Sequence, residues 1–408
     1  MSAPAGGVII AAPASGSGKT VLTLGLLRHL ADRGLVVSAA KVGPDYIDPA
    51  VHAAAGGTAC LNLDAWAMRP ERIAANLDSL GDGEGMVVCE GVMGLFDGAT
   101  VRPGENSGST ADIARLTGWP VVLVVDASAQ AASAAAVVRG FATHADDVSI
   151  AGVIFNRVGS AAHEAILRDA CGATLPEIPV LGCLPRQTGL SLPERHLGLV
   201  QAIEHPDLEA FIVGAAGLVT EHIDVAAILR LAHPGSMIKQ VEPAIFAPFG
   251  QRIAIAADAA FAFIYAGLVE DWRRHGVEVS FFSPLADEPP SPVADAVYLP
   301  GGYPELYAGR LAAATDFLGG LRTAAERGAF VFGECGGYMI LGEGLVDADG
   351  ERHAMAGLLP LETSFAERRL HLGYRRARLA TQTRLGAVGT GYRGHEFHYA
   401  SILREAEG

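Results

Sequence analysis

No apolar run in this sequence approaches the ~20 residues of a membrane span, and no basic stretch followed by a long apolar one opens it. Both absences lead to the expectation of a soluble cytoplasmic protein with no membrane partner. Cysteine is sparse: Cys60, Cys89, Cys171, Cys183 and Cys335 lack the paired spacing of a zinc site. An odd count of this kind fits reduced thiols rather than a disulfide framework. Charge is also scarce, at 18% of residues, and its balance of −15 disfavours nucleic acid as a partner. Acidic small ligands stay open, because they need only a local basic site. Internal repeats and low-complexity blocks are absent. Apolar residues are plentiful, at 50% of 408, which supplies enough buried area for two domains.

Short apolar runs alternate with helical stretches through the first half. Residues 8–12, 36–42, 86–89, 120–126, 151–156 and 178–184 read as strands. Residues 19–33, 110–117, 130–144 and 161–171 read as helices, and 206–231 as one or two closing helices. Strands apolar on both faces, alternating with helices, predict an α/β fold with a parallel sheet covered on both sides. The proline- and glycine-containing stretches 233–236 and 241–250 read as a linker. A second alternation follows, with strands at 253–256, 277–282, 296–299 and 330–332 and a helix at 263–275. The expected domains are 1–240 and 246–408, with a boundary near residue 245.

The run Pro13-Ala14-Ser15-Gly16-Ser17-Gly18-Lys19-Thr20 joins the first strand to the first helix. Glycines there let backbone N–H groups turn toward phosphate oxygens, and the helix N-terminus adds partial positive charge. Gly16, Ser17 and Gly18 would form the cradle, Lys19 would reach the β/γ-phosphates and Thr20 would ligate Mg²⁺. The first glycine of the usual pattern is replaced by Pro13. Two acid pairs follow at strand ends, Asp45 with Asp48 and Glu90 with Asp97, where an open α/β sheet places its chemistry. Each acid reads either as a turn cap or as a metal or substrate group. Asn156, at another strand end, reads as an adenine contact or as a turn residue.

Gly333-Glu334-Cys335-Gly336-Gly337 follows a strand and opens a helix, the layout of a nucleophile elbow. The helix N-terminus predicts a lowered thiol pKa. The N–H of Gly336 and the Pro300-Gly301-Gly302 turn are candidate oxyanion donors. His371, His395 and His398 are candidate bases. Period-two geometry puts Glu396 and His398 on one strand face, as a base with its orienter or as an ordinary exposed pair.

The ordered motifs S-G-S-G-K-T, K-V-G-P-D-Y-I-D-P, E-G-V-M-G-L-F-D-G, Y-L-P-G-G-Y-P-E, G-E-C-G-G and G-H-E-F-H-Y resemble those of the cobyrinic and hydrogenobyrinic acid a,c-diamide synthases of cobalamin biosynthesis. The resemblance runs from the glycine-rich loop to residue 399. It implies a dethiobiotin-synthetase-like P-loop domain followed by a class I glutamine amidotransferase-like domain. It also implies ATP- and glutamine-dependent amidation of two corrinoid carboxylates through an acyl phosphate. Cys335 would be the glutaminase nucleophile, Lys19 and Thr20 would hold ATP and Mg²⁺, Asp45 and Glu90 would serve the metal, and Asp48 and Asp97 the carboxylate activation. Its partners are small molecules (a corrinoid polycarboxylate, glutamine and ATP), and a homodimer is compatible with it. The family's usual further histidine beyond the last motif is not found before Gly408, so the second domain is expected to be cut short. Rival readings are a cobyric acid synthase, amidating other carboxylates of the ring, and a P-loop switch ATPase with a ligand-binding second domain. The Asp45-Tyr46-Ile47-Asp48 loop favours the a,c enzyme, and its wording is closer to the cobalt-free branch.

Residues 366–398 hold seven arginines (Arg368, Arg369, Arg375, Arg376, Arg378, Arg384 and Arg393) against two acids. On a strand, Tyr374, Arg376 and Arg378 share a face suited to the carboxylates of a macrocycle, or simply to solvent.

Overall fold

Strand β1 (Gly6–Ala11) explains the architecture of the first half. Ile9 and Ala11 point into one apolar core, while Val8 and Ile10 point into another on the opposite face. Each large aliphatic side chain so buried stabilises the fold by about 1.5–3 kcal/mol. A strand apolar on both sides has to lie inside a covered sheet. A computed structural model describes residues 6–80, 85–187, 194–195, 198–234 and 247–406. It resolves two compact units, Met1–Glu194 with Leu199–Ile245 and Arg195–Gly198 with Phe246–Gly408. The expected boundary near 245, and linker residues 235–246, lie outside the described residues.

In the first unit β1 is followed by α1 (Lys19–Asp32), β2 (Val37–Val42), α2 (Ile47–Gly56), β3 (Cys60–Leu63) and α3 (Pro70–Leu80). Then come β4 (Met86–Glu90), α4 (Thr110–Thr117), β5 (Val121–Asp126), α5 (Ala134–Thr143), β6 (Ile150–Val158), α6 (Ala161–Thr174) and β7 (Val180–Pro185). The seven strands are all parallel, in the order β3-β2-β4-β1-β5-β6-β7. From β1 the chain builds β2, β3 and β4 on one flank, then crosses to β5 on the other. The loop after β1 therefore lies at the topological switch point, where open α/β sheets bind ligands. Two-residue strands β8 (Glu194–Arg195) and β9 (Gly198–Leu199) pair with each other. Helices α7 (Leu208–His222) and α8 (Val225–Leu231) follow, and β10 (His233–Pro234) pairs antiparallel with the start of β1.

The second unit starts with β11 (Arg252–Ala256), α9 (Ala266–Arg274), β12 (Glu278–Phe282) and β13 (Ala296–Leu299). After α10 (Ala308–Ala313) and α11 (Thr315–Glu326), β14 (Phe330–Gly333) completes a parallel sheet in the order β12-β11-β13-β14. Helix α12 (Gly336–Leu341) leaves β14 directly. Strands β15 (Gly344–Val346), β16 (Arg352–Ala354), β17 (Leu361–Ser364) and β20 (Ser401–Glu405) make a mixed sheet, and β18 (His371–Arg378) pairs with β19 (Gly391–His398) as an antiparallel ribbon.

Several elements differ from the sequence reading. The helix expected over 263–275 begins at Ala266, because the Phe263 N–H bonds to the Gly301 carbonyl as an isolated bridge. The helix expected from residue 130 begins at Ala134. Strand β3 and helices α2 and α3, absent from that reading, complete one flank of the large sheet.

Candidate active sites

The loop after β1 relies on two glycines with left-handed backbone, Gly16 (φ 74°) and Gly18 (φ 95°). Gly18 tolerates no side chain: a Cβ there would lie 2.1 Å from Asn156 Nδ2. Asn156 is a brace for this loop, since its Nδ2 donates to Ser17 O at 2.9 Å and its Oδ1 accepts from Arg157 N. Lys19 Nζ donates to Met93 O at 2.8 Å and, more weakly, to Ala14 O at 3.4 Å. No carboxylate pairs with this buried ammonium among the described residues. Desolvation by burial, together with neighbouring Lys41, holds its pKa below the usual lysine value, in spite of Glu90. A buried cation wrapped in a turn of N–H groups fits the anionic phosphates of a nucleotide.

Behind the loop, polar groups from three strands' worth of sequence meet in one cluster. Glu90, at the end of β4, accepts from Thr20 Oγ1 at 2.8 Å and from Lys41 Nζ at 2.7 Å through Oε1. His52 Nε2 lies 2.7 Å from its Oε2. Lys41 Nζ also donates to Asp48 Oδ2 at 2.5 Å. All of Lys41, Asp48, His52 and Glu90 are buried, so their charges interact in a low-dielectric setting. Burial works against the Lys41 charge, yet Asp48 and Glu90 outweigh it and hold the ammonium well above its usual range. Burial raises Glu90 as well, but Lys41 and then His52 more than reverse this and leave it below the usual carboxylate range. Asp48, sharing the same lysine, is pushed by burial up to about 6.

The Thr20 and Glu90 oxygens suit a shared metal. Adjacent ligands of an octahedral Mg²⁺ at 2.0–2.1 Å stand about 3 Å apart, and these two are 2.8 Å apart. Asp45 Oδ1 caps α2 by accepting from Ile47 N and Asp48 N. Asp97 Oδ2 accepts from Gly94 N at 2.9 Å and closes the turn after β4. Thus Thr20, Asp48 and Glu90 come together, while Asp45 and Asp97 each also hold a turn. Two members of the cluster, Lys41 and His52, were not among the expected site residues. His52 lies four residues after Asp48, one helical turn on the same face of α2, but nothing in the sequence marks α2 itself strongly.

In the second unit Cys335 sits between β14 and α12 at φ 49°, ψ −115°. A non-glycine residue held there costs about 1–3 kcal/mol and marks a functional turn. The sharpness depends on Gly337, where a Cβ would lie 2.0 Å from Leu299 O. Of the five cysteines, Cys335 alone is exposed, and the other four are buried. Its sulfur nevertheless nestles among protein atoms, and the nearby backbone N–H groups of Gly336 and Gly302 favour its thiolate form. Desolvation lifts the thiol to about 11, against the pull of those two donors. The expected lowering is therefore not found: α12 is only six residues long, and desolvation, with Glu334 adding to it, outweighs the two N–H groups. Gly302, Glu305, Gly336, Met339, Phe365, His398 and Tyr399 line one recess with Cys335.

Of the three candidate bases, His398 lines this recess. Its Nε2 lies 3.0 Å from Glu396 Oε1, and its Nδ1 lies 2.9 Å from Ala400 O. His371 stacks on His398 with ring centroids 4.7 Å apart. His395 faces Tyr374 on the other side of the ribbon, 5.1 Å between centroids. Tyr374, Arg376 and Arg378 share a face, with Arg376 directly opposite Arg393.

Known proteins account for both halves. Residues 8–200 match the CobQ/CobB/MinD/ParA nucleotide binding domain, and residues 252–407 match the CobB/CobQ-like glutamine amidotransferase domain. A hydrogenobyrinate a,c-diamide synthase from Brucella anthropi is 57% identical over 405 residues, covering 98% of this chain and 90% of that protein. One from a Sinorhizobium species is 55% identical over 403 residues, again covering 98% and 90%. That of Rhodobacter capsulatus is 54% identical over 408 residues, covering 98% and 91%. No helix among the described residues is long and apolar enough to cross a membrane. The chain belongs to the hydrogenobyrinate a,c-diamide synthase family and is an amidating ligase with a nucleotide-binding domain followed by a glutamine amidotransferase domain.

Proposed function

We propose that this protein amidates the a and c side-chain carboxylates of hydrogenobyrinic acid, with glutamine as nitrogen donor and ATP as the activating co-substrate. The observation that carries the reading is the Cys335 elbow, a strained turn between β14 and α12 that opens on a recess lined by Gly302, Gly336 and His398. Cys335 attacks the amide carbon of glutamine, and the C–N bond breaks to release ammonia and leave a thioester. Water then cleaves the thioester to glutamate. The N–H groups of Gly336 and Gly302 would bond the oxyanion that forms in each step.

In the first unit a substrate carboxylate oxygen attacks the γ-phosphorus of ATP, and ADP leaves. Ammonia attacks the resulting acyl phosphate, inorganic phosphate leaves, and a proton is lost from nitrogen. The phosphate makes a leaving group out of an oxygen that carboxylate ion does not release. Gly16, Ser17 and Gly18 cradle the nucleotide, braced by Asn156, and Lys19 supplies the charge for its phosphates. Thr20, Glu90 and the outer oxygen of Asp45 would hold Mg²⁺, which lends positive charge to the transferring phosphoryl group. Lys41 and Asp48 position the acceptor carboxylate, and Asp97 fixes the loop after β4 around the phosphates. The basic ribbon face of Tyr374, Arg376 and Arg378 holds non-reacting carboxylates.

Incubation with ATP, Mg²⁺, ammonia and hydrogenobyrinic acid, followed by mass spectrometry, tests the reading. Two successive replacements of carboxyl hydroxyl by amino group support it. A monoamide end product, or further amidation beyond two, overturns it.

A further inference from the structure

Three potential metal-ligating side chains converge on one face of the β18–β19 ribbon. His371 and His398 are direct cross-strand partners, and Glu396 lies two residues before His398 on the same face. One ligand atom from each lies within 4.8 Å of the others. The fourth position of this small square, opposite Glu396, is Gly373, whose bare backbone is covered by the Arg375 guanidinium.

The hydrogen bonds around His398 set its tautomer. Ala400 O is a backbone carbonyl and can only accept, so Nδ1 carries the hydrogen and donates to it at 2.9 Å. Nε2 then faces Glu396 Oε1, 3.0 Å away. Either a proton on Nε2 or a bridging metal cation joins the two. An imidazole whose Nδ1–H is fixed by a backbone carbonyl is also the arrangement that orients histidine ligands in metal sites. Arg375 forms an ion pair with the other oxygen, Oε2, and so steadies the carboxylate without occupying Oε1.

We propose that His371, Glu396 and His398 form a binding site for a divalent transition cation of the zinc class, with water in the fourth position. Two imidazoles and one carboxylate suit Zn²⁺ in its open, four-coordinate form. The site takes up His398, which lines the Cys335 recess. The cation therefore removes an imidazole from the neighbourhood of the thiol and slows glutamine hydrolysis. This consequence rests on the reading of Cys335 as the nucleophile, whereas cation binding does not.

The test uses the full chain carrying Cys335→Ser, so that no exposed thiol competes, and Co²⁺ as the probe. Expected are one bound equivalent with the visible absorption of four-coordinate Co²⁺, its displacement by Zn²⁺, and binding at least about tenfold weaker after His371→Ala or Glu396→Gln. His353→Ala, which removes a histidine from a separate cluster with Asp347 and Glu351, should leave the signal intact. Absent absorption, a signal that survives both His371→Ala and Glu396→Gln, or one lost only with His353→Ala, overturns the proposal and leaves a proton as the bridge. Zn²⁺ inhibition of glutamine hydrolysis by the unsubstituted chain, scored separately, tests the consequence. Retained Co²⁺ binding without inhibition would fault the reading of the recess alone.

Discussion

The hydroxyl of Thr20 donates to the carboxylate of Glu90 across 2.8 Å, joining the first turn of α1 to the end of β4. These residues are seventy positions apart in sequence, and only the parallel pairing of β1 with β4 brings their elements together. Glu90 also carries Lys41 and His52, so it ties the nucleotide loop to the buried cluster behind it.

Glu90→Gln is expected to destabilise the chain by about 3 kcal/mol, because breaking a buried ion pair leaves an uncompensated charge. Chemical denaturation measures this. The pH dependence has a definite sign. Glu90 has a folded-state pKa below its ordinary 4.5, so its contribution is full above about pH 4.5 and is lost as pH falls below it. Asp48, raised to about 6, acts oppositely and costs stability as pH rises from about 4 to 6. The Gln variant should therefore lose less stability than the parent on going from about pH 5 to pH 3. An equal loss in both removes Glu90 from the account.

Substitution of Asp45, Asp48 or Asp97 by Ala should reduce amidation with glutamine and with ammonia alike, since all three lie in the nucleotide-binding half. Hydrolysis of glutamine measured by itself should be spared. Asp48→Ala should show the largest loss, because it alone of the three contacts Lys41. Normal ammonia-dependent rates in all three variants contradict these roles.

How much of this was legible beforehand follows from the kind of signal each feature leaves. The parallel sheet was readable because Val8–Ala11 and Val121–Val125 are buried on both faces and hence apolar without alternation. Strand β3 was not, because it is only four residues long and contains Asn62, whose amide serves Gly43 O and Asp45 O. Lys41 was visible as a residue, but not as the shared partner of Asp48 and Glu90, because strand order is not written locally. The glycines around Cys335 marked the elbow. Its raised pKa was hidden, since it depends on how the loop carrying Gly302 folds over the sulfur.

Cys335 should respond to pH as a thiol near 11. Its alkylation by iodoacetamide is expected to accelerate about tenfold per unit between about pH 7 and pH 9, because only the thiolate reacts. A rate that levels off below about pH 8 contradicts the desolvated setting described for it.

Arg376 faces Arg393 directly across the ribbon, with Arg378 one step further on the same face. Arg376→Gln with Arg378→Gln should raise the corrinoid KM several-fold, each charge-assisted bond being worth about 1.5–3 kcal/mol at most. The KM values for ATP and glutamine should not move. An unchanged corrinoid KM makes these arginines ordinary surface charge.

The central claim is a division of labour between a thiol that frees ammonia and a separate nucleotide site that consumes it. Its most direct measurement is Cys335→Ser assayed with both nitrogen donors. A hydroxyl is a far poorer nucleophile than a thiolate, so glutamine-dependent diamide formation should vanish while ammonia-dependent formation continues at the parental rate. Loss of both, or retention of both, contradicts the account.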